Sequence, residues 1–402
     1  MNAFKSSIQY LLSIESKGIK MGLNRTLELS NACDNPDKKL DIIQVAGTNG
    51  KGSTCAMIAN ILIEAGYKVG LFTSPHLVNL NERIRINGLP IANEDIDEFI
   101  SFYKNDIEQI SASFFETITI MAFWYFQKNN VDYAIMETGL GGKLDSVTIC
   151  NPKLAVITSI SMDHSEILGD SLVKIAKEKA GIIKKDISCI TVKHSKEIDK
   201  IIQSECIQKN AKLIVSDDFI PLSYNPSLKG NAQFQNAHLA EVTINTLLKD
   251  INDEIIIRAI EGTKWYGRNQ IIQKEPTVIF DVAHNDAGVS SFMDFIKSIS
   301  GNNKKLILSL QSRKNIKNQV SLLLSVFDEI ILCETHNKRT MRVRDLKSNF
   351  RMDQKLTCIQ SEYDAIQYAL DNSSKDDLIA IIGTHHFGDA ISKIFNMSFN
   401  LL

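Results

Sequence analysis

The chain has 402 residues and a formal net charge of -2, with 45 Lys and Arg against 47 Asp and Glu. This balance argues against a large electrostatic surface for nucleic acids or membranes, so any anionic ligand must be held by local features. A chain of this length usually exceeds a single hydrophobic core, which predicts two domains.

The cysteines and the N-terminal segment indicate the compartment. The seven cysteines are scattered and include no C-x-x-C pair, which argues against a disulfide framework and fits a reducing compartment. The first residues interrupt a short apolar stretch with Ser and Glu and lack a cleavage site of small residues, so they do not read as a signal peptide. No apolar run approaches the roughly 20 residues that span a bilayer. We therefore expect a cytoplasmic protein.

Short β-branched segments alternate with helical patterns in the first part of the chain. The segment 40–45 predicts a buried strand, the glycine-rich turn 47–52 follows it, and 53–65 predicts a helix that is apolar nearly all round. Further strands are predicted at 68–73, 133–137 and 154–159. This rhythm indicates a mostly parallel sheet covered by helices on both faces.

A second series of strands begins after residue 268. Its members are predicted at 277–281, 305–310, 329–333 and 378–382. We therefore predict the α/β class, with a P-loop parallel-sheet ATPase domain (1–269) followed by a smaller Rossmann-like α/β domain (270–402).

The strongest local signal is the segment VAGTNGKGST, residues 45–54, between a predicted strand and a predicted helix. Its glycines let successive N–H groups face a phosphate, and the following helix directs the positive end of its dipole to the same place. Lys51 can reach the outer phosphates, and Ser53 and Thr54 can cap the helix or touch a phosphate or Mg²⁺. The loop is shorter than G-x-x-x-x-G-K-[ST]. It predicts a nucleoside triphosphate site formed by Asn49, Gly50, Lys51, Gly52 and Ser53.

Three polar side chains follow predicted parallel strands at the edge where open α/β sheets bind ligands. Ser74, Glu137 and His164 could together hold Mg²⁺ ions that bridge ATP phosphates and an acceptor carboxylate. Taken alone, His164 is equally well explained as a capping or core histidine. On composition alone, Lys179 is a solvated charge on a helix.

A series of blocks, in order along the chain, resembles the folylpolyglutamate synthase and dihydrofolate synthase family of the Mur-type ligases. The blocks are VAGTNGKGST (45–54), TSPHL (73–77), ERIRING (82–88), FFET (114–117), ETGLGGKLD (137–145), TSISMDHSEILGD (158–170), AKEKAGIIK (176–184), GR (267–268) and DVAHN (281–285). The resemblance implies a ligase that uses ATP and Mg²⁺ to join glutamate to a folate-type carboxylate through an acyl phosphate.

The resemblance also implies roles for individual residues. Ser74, Glu137 and His164 match metal ligands, and Lys179 matches a lysine whose carbamate oxygen is a further ligand. The implied catalytic residues are Lys51, His164 and Lys179, and the implied nucleotide contacts beyond the loop are Asn236 near the adenine, Arg268 on the phosphates and Asp281 on the ribose.

The predicted acceptor site comes from two blocks. Residues 113–116 offer two aromatic faces and a carboxylate, which suit a pterin ring, although either phenylalanine singly could be a core residue. The resemblance places this block and residues 144–146 at the pterin site, and more weakly His284 at the glutamate. Lys143 stands where the family usually has arginine, which removes a planar fork of donors. The implied substrate contacts are Ser113, Phe114, Phe115, Glu116, Leu144, Asp145, Ser146 and His284.

Two alternatives remain open on the sequence. One is another Mur-type ligase that acts on a cell-wall precursor, and the other is a P-loop protein that uses ATP to switch a partner. The expected partners are small molecules (ATP, glutamate, and folate or dihydropteroate), without nucleic acid or membrane, and we expect a monomer. The sequence leaves the choice of acceptor open.

Overall fold

The computed structural model describes residues 3–15, 18, 22–312, 314, 316–350 and 355–402. These residues form two sheets, an eight-stranded sheet in the order β4-β3-β2-β5-β1-β6-β7-β8 and a six-stranded sheet in the order β13-β12-β11-β14-β10-β9. We call the parts built on them the first and second lobes. The strands are β1 Ile42–Ala46, β2 Val69–Phe72, β3 Ile84–Ile86, β4 Leu89–Pro90, β5 Tyr133–Glu137, β6 Leu154–Ile157, β7 Ser188–Thr191, β8 Lys212–Val215, β9 Gln270–Lys274, β10 Thr277–Phe280, β11 Lys304–Leu308, β12 Glu329–Glu334, β13 Leu356–Ser361 and β14 Leu378–Ile382.

Helices connect the strands in both lobes. They are α1 Ala3–Glu15, α2 Asn24–Ala32, α3 Lys51–Glu64, α4 Asn93–Ile110, α5 Phe114–Lys128, α6 Ser165–Leu168, α7 Leu172–Ala180, α8 Lys196–Gln208, α9 Asn231–Leu247, α10 Asp253–Gly262, α11 Asp286–Lys297, α12 Val320–Val326, α13 Val343–Lys347, α14 Glu362–Asp371 and α15 Phe387–Ile394. None of the described helices is long and apolar enough to cross a membrane.

Strand β1 lies inside the first sheet and is parallel to both neighbours, β5 and β6. All five of its residues are buried, as expected for a strand covered by helices on both faces. Antiparallel pairing is confined to β3 and β4 in this sheet and to β9 in the second. The α/β class with mostly parallel sheets is therefore confirmed, and β5 and β14 have the bounds that the sequence predicted.

Helix α3 carries the phosphate loop into the core. Its buried face includes Cys55, Met57, Ile58, Ile61 and Leu62, and these residues pack in one cluster with β1, β2 and the apolar face of α9. Because α3 is apolar nearly all round, it is fixed on several sides. The loop at its N-terminus therefore leads into a helix that is packed firmly against the sheet.

The two lobes meet along the carboxyl edge of the first sheet. The connection after α10 passes through Trp265, whose indole would contact a Cβ added to Gly52 of α3, and through Gly267, which has φ of +68°. Residues 398–402 return to the first lobe, where Arg85 donates hydrogen bonds to the carbonyls of Phe399 and Asn400.

Candidate active site at the junction of the two lobes

The phosphate loop depends on two glycines with positive φ. Gly47 has φ of +151°, and a Cβ at this position would lie 1.8 Å from Oγ1 of Thr158. Gly50 has φ of +90°, and a Cβ there would lie 2.4 Å from Oδ1 of Asn236. Both positions therefore require glycine for conformational and steric reasons. The second contact also places Asn236 of α9 directly against the loop. Its role in binding the nucleotide stays a prediction.

The hydroxyls of Ser53 and Thr54 lie in the first turn of α3 and are fully buried. Neither Oγ of Ser53 nor Oγ1 of Thr54 has a hydrogen-bond partner among the described residues. Buried hydroxyls are normally satisfied, so this pair is available for a ligand. A phosphate oxygen or a cation at the helix N-terminus would supply the missing partner.

Lys51, Glu137 and Ser74 come together at the ends of α3, β5 and β2. Nζ of Lys51 lies 3.8 Å from Oε1 of Glu137, and the main-chain N–H of Ser74 donates to Oε2 at 3.0 Å. Burial raises the pKa of Glu137, an effect that the charge of Lys51 opposes. The carboxylate is thus a nearly buried acceptor beside the lysine that would meet the phosphates.

Lys179 on α7 is buried, with 4% of its surface exposed, so the interpretation as a solvated charge is wrong. Its Nζ donates to the carbonyl of Gly47 at 2.5 Å. Burial lowers the pKa of Lys179 from 10.5 to about 7, and the charge of Lys51 adds to this effect. A substantial fraction of this amine is therefore neutral near pH 7, and only the neutral form is a nucleophile.

His164 does not lie at the end of a strand, because β6 ends at Ile157 and His164 directly precedes α6. Its backbone has φ of 50° and ψ of 39°, a left-handed conformation that is uncommon for a residue other than glycine. Its Nε2 atom accepts a hydrogen bond of 3.2 Å from Lys314 of the second lobe. Burial lowers the pKa of His164 to about 4, so the imidazole is neutral and keeps a lone pair.

The segment 113–116 forms the N-terminus of α5. Ser113 caps the helix by accepting from the N–H of Glu116, and the Glu116 carboxylate accepts from the N–H of Ser113 at 2.6 Å. Arg25 of α2 also binds this carboxylate, with Nε 3.1 Å from Oε2 and Nη2 2.9 Å from Oε1. Glu116 is therefore held by a capping box and an ion pair. Its contact with a pterin stays a prediction.

The two phenylalanines of this segment differ in environment. Phe114 is buried beneath the guanidinium of Arg83, at 5.3 Å from its ring centre. Phe115 is partly exposed, packs 5.8 Å from Phe72 and touches the space beside Gly139. Phe115 is consequently the ring that can offer a face to a ligand.

Residues 144–146, the second predicted acceptor segment, also contact α2. Leu144 is 38% exposed, and the Asp145 carboxylate accepts from the N–H groups of Leu140 and Val147. Burial raises the pKa of Asp145 to about 6. Ser146 is held by Thr26 of α2 at 3.3 Å, so α2 contacts both predicted acceptor segments.

The remaining residues predicted to bind nucleotide or glutamate lie around the connection between the lobes. Asp281 follows β10, and its carboxylate accepts from the N–H groups of Asn269 and Ala283, each at 2.7 Å. Arg268 lines a small cavity between the lobes together with Ser74 and Gly52. His284 lies at the junction, 3.5 Å from Asp163 of the first lobe. Its contact with glutamate stays a prediction.

Carboxylates and imidazoles of the protein would not be enough to hold a divalent cation in this site, which would need further oxygen ligands. Within the described ranges, no group of three or more His, Cys, Asp or Glu side chains is arranged to hold a metal ion. The unpartnered hydroxyls of α3 and the buried Glu137 carboxylate provide oxygen atoms of the kind that Mg²⁺ prefers. The nucleotide phosphates and water would complete the shell.

Models of two domain families match the chain, the Mur ligase middle domain over residues 45–219 and the Mur ligase glutamate ligase domain over residues 267–385. The dihydrofolate synthase/folylpolyglutamate synthase of Bacillus subtilis (strain 168) is 32% identical, covering 94% of this chain and 95% of its own. The enzyme of the same name from Escherichia coli (strain K12) is 28% identical, covering 95% and 93%.

The chain is also similar in fold to solved structures of proteins from the same family as these relatives. Escherichia coli FolC in complex with DHPP and ADP has a TM-score of 0.89 at 27% identity and covers 98% of this chain and 97% of its own. Mycobacterium tuberculosis folylpolyglutamate synthase complexed with ADP and AMPPCP has a TM-score of 0.88 at 25% identity, with coverages of 98% and 99%.

Two α/β lobes with a phosphate loop at their junction, matched by both domain models, define a Mur-type ATP-dependent ligase. The relatives are named for folate ligation rather than for cell-wall synthesis. The chain belongs to the dihydrofolate synthase/folylpolyglutamate synthase family, which confirms the resemblance found in the sequence and favours it over the cell-wall alternative.

Proposed function

We propose that this protein joins the amino group of glutamate to a pterin-containing carboxylate at the expense of ATP. The observation that carries this proposal is the buried group formed by Lys51, Glu137 and the unpartnered hydroxyls of Ser53 and Thr54 at the carboxyl edge of the first sheet. Family membership supplies the reaction class, and the structures of relatives with ADP, AMPPCP or DHPP support the choice of ligands.

Amide formation from a carboxylate requires activation of a poor electrophile. In the proposed reaction an oxygen of the acceptor carboxylate attacks the γ-phosphorus of ATP, the bond to the β-phosphate oxygen breaks, and ADP leaves an acyl phosphate behind. The ammonium of Lys51 and N–H groups of the loop would stabilise charge on the transferred phosphoryl group. The glutamate amine then attacks the acyl carbon, and phosphate departs. Closure of the lobes would exclude water from the acyl phosphate.

Mg²⁺ is part of the proposal, with Ser74, Glu137 and His164 as candidate ligands. A bound Mg²⁺ would supply charge neutralisation on the phosphates. Glu137 offers oxygen, and Lys51 is placed to share the phosphates. Nε2 of His164 accepts from Lys314, so His164 would have to release that hydrogen bond before it could bind a metal ion.

We further propose that Lys179 is carbamylated. Its burial lowers the pKa to about 7, so the neutral amine can add to CO₂, losing a proton and becoming a carbamate. This change would replace a buried cation by an anion and give a further oxygen ligand beside Gly47. Protein incubated with ¹³C-labelled bicarbonate should show an extra carbamate signal by NMR. The signal should be lost in Lys179→Met and kept in Lys184→Met, because Lys184 is only partly buried. An unchanged signal in Lys179→Met would refute the assignment.

For the acceptor we propose a site between Phe115 and Leu144, bordered by Arg25. Whether dihydropteroate, tetrahydrofolate or both are used is decided by assay. Purified protein is incubated with each acceptor, ATP, Mg²⁺ and labelled glutamate, and products are resolved by mass. The variant Lys51→Met should form no product, because it lacks the ammonium that would meet the phosphates. The control variant Lys128→Met should form product, because Lys128 pairs with Asp95 away from the loop. ATP turnover indifferent to acceptor and glutamate would instead favour a nucleotide switch.

We also propose that the protein acts as a cytoplasmic monomer. All seven cysteines are free and six of them are buried, as suits a reducing compartment. Light scattering during size-exclusion chromatography should give the mass of one chain, 45.0 kDa. A mass of two chains would overturn the monomer.

A further inference from the structure

Two donors of the second lobe bind one carboxylate of the first lobe, and a histidine of the second lobe lies beside it. Nζ of Lys314 lies 2.5 Å from Oδ1 of Asp163, and Nδ2 of Asn285 donates to Oδ2 at 3.1 Å. Nε2 of His284 lies 3.5 Å from the same Oδ2 atom. The side chains of Asp163 and Lys314 are only 11% and 9% exposed, so this ion pair is largely screened from water.

The same contact reaches His164 directly. Lys314 donates from Nζ to Nε2 of His164 at 3.2 Å, and the main-chain N–H of His164 donates to Oδ1 of Asp163 at 2.8 Å. The imidazole and the carboxylate beside it are thus held by one ammonium group. A shift of the second lobe would move this ammonium and release the ring.

A second connection runs to the phosphate loop. The amides of Asn285 and Asn49 exchange hydrogen bonds, each of 3.2 Å. Asn285 also donates to Asp163. The loop, the His164 segment and the second lobe therefore share one network of hydrogen bonds.

A buried ion pair of this kind stabilises only the arrangement in which all its partners meet. If the lobes separated, Asp163 and Lys314 would each need hydration, and the bonds to His164 and Asn285 would be lost. Such pairs contribute to geometric definition more than to stability, because desolvation offsets much of the Coulombic attraction. The contact is therefore suited to setting the relative position of the two lobes.

We propose that Lys314 and Asp163 are positioning residues that form an interlobe clamp. The clamp holds His164 and Asn49 in place when the second lobe is closed over the first. The hydroxyls of Ser53 and Thr54 are not part of the clamp, and they stay in place when it is broken. For its effect on turnover this inference rests on the proposed ligase function.

The test is a double-mutant cycle of Lys314→Met, Asp163→Asn and the double variant. Each single variant should lower kcat by at least about 30-fold, the lower range for truncating one partner of a buried charge pair. The kcat of the double variant should be no lower than that of either single variant, because each single substitution already breaks the clamp. The KM for ATP should change less than kcat, because the loop hydroxyls are untouched. Lys314→Arg should recover most of kcat.

Lys128→Met is the matched control, because Lys128 forms an ion pair of 3.0 Å with Asp95 inside the first lobe. It should leave kcat nearly unchanged. Small-angle X-ray scattering of ligand-free protein gives a readout that is independent of turnover, and Lys314→Met should show a larger radius of gyration than wild type and Lys128→Met. The clamp would be overturned if the kcat losses of the two single variants multiplied in the double variant. Equal radii of gyration for wild type and Lys314→Met would overturn it as well. An inactive wild type would reject the ligase function while scattering still tests the clamp.

Discussion

Replacing Lys179 by methionine should stabilise the folded protein while it abolishes ligation. Burial lowers the pKa of Lys179 from 10.5 to about 7, so an unmodified lysine reduces stability by roughly 4 kcal/mol at pH 7, at about 1.4 kcal/mol for each unit of pKa. Methionine is apolar and of similar length, but it loses the hydrogen bond to Gly47, worth roughly 1–3 kcal/mol. The net gain should be on the order of 1–3 kcal/mol.

The pH dependence follows from the same values. Between about pH 7 and pH 10.5 the unfolded lysine is protonated and the folded lysine is largely neutral, so the unfolded state binds more protons. The free energy of unfolding of the wild type therefore rises with pH in this window. This gain is lost again as the pH falls towards 7. The variant has no such group at position 179. Its advantage over wild type should shrink by about 2 kcal/mol between pH 7 and pH 9.

Urea denaturation in CO₂-free buffer at pH 7, 8 and 9 measures the stability gain of Lys179→Met and its change with pH. Lys184→Met serves as the control, since Lys184 is only partly buried and donates to Thr148 at 2.8 Å. Added bicarbonate should stabilise wild type but not Lys179→Met, because the carbamate removes the buried cation. A variant less stable than wild type at pH 7, or a difference that does not vary with pH, would refute the reasoning.

Further variants probe the loop, the acceptor site and the carboxylate. Gly47→Ala should abolish AMPPCP binding in calorimetry, because its Cβ would lie 1.8 Å from a side-chain oxygen, whereas Gly262→Ala, with open space around it, should bind normally. Phe115→Ala should raise the KM for dihydropteroate by about tenfold or more while leaving the KM for ATP unchanged, since one stacking face is lost. An equal rise in both KM values would contradict this prediction. Glu137→Gln should lower kcat by about 100-fold in steady-state assays, and a wild-type kcat would exclude Glu137 from the reaction.

Features set by neighbouring residues were predictable from the sequence. Buried parallel strands are continuous apolar runs, and β5 and β14 were predicted with their observed bounds for that reason. The phosphate loop was equally clear, because strand, glycines, lysine and hydroxyls are adjacent in the chain. Short or partly exposed strands such as β8, with a mixed burial pattern, carry too little apolar signal and were not predicted.

Features set by distant residues were not predictable. Arg25 binds Glu116 across 91 positions, and Lys314 reaches Asp163 across 151, so no local spacing reveals either pair. The burial of Lys179 has a similar origin. A Cβ at Gly142 would lie 2.4 Å from a carbonyl of α7, which shows that glycine lets the helix approach closely and cover its lysine. Only the family resemblance pointed to that residue.

The return of residues 398–402 to the first lobe has a consequence for work on isolated pieces of the protein. Arg85 is buried, and the carbonyls that accept from its guanidinium include those of Phe399 and Asn400, while Tyr266 donates to the carbonyl of Leu401 at 2.8 Å. A fragment ending before β9 would leave that guanidinium without these acceptors. The half of the chain that carries the phosphate loop therefore depends on the last part of the other half for its own integrity.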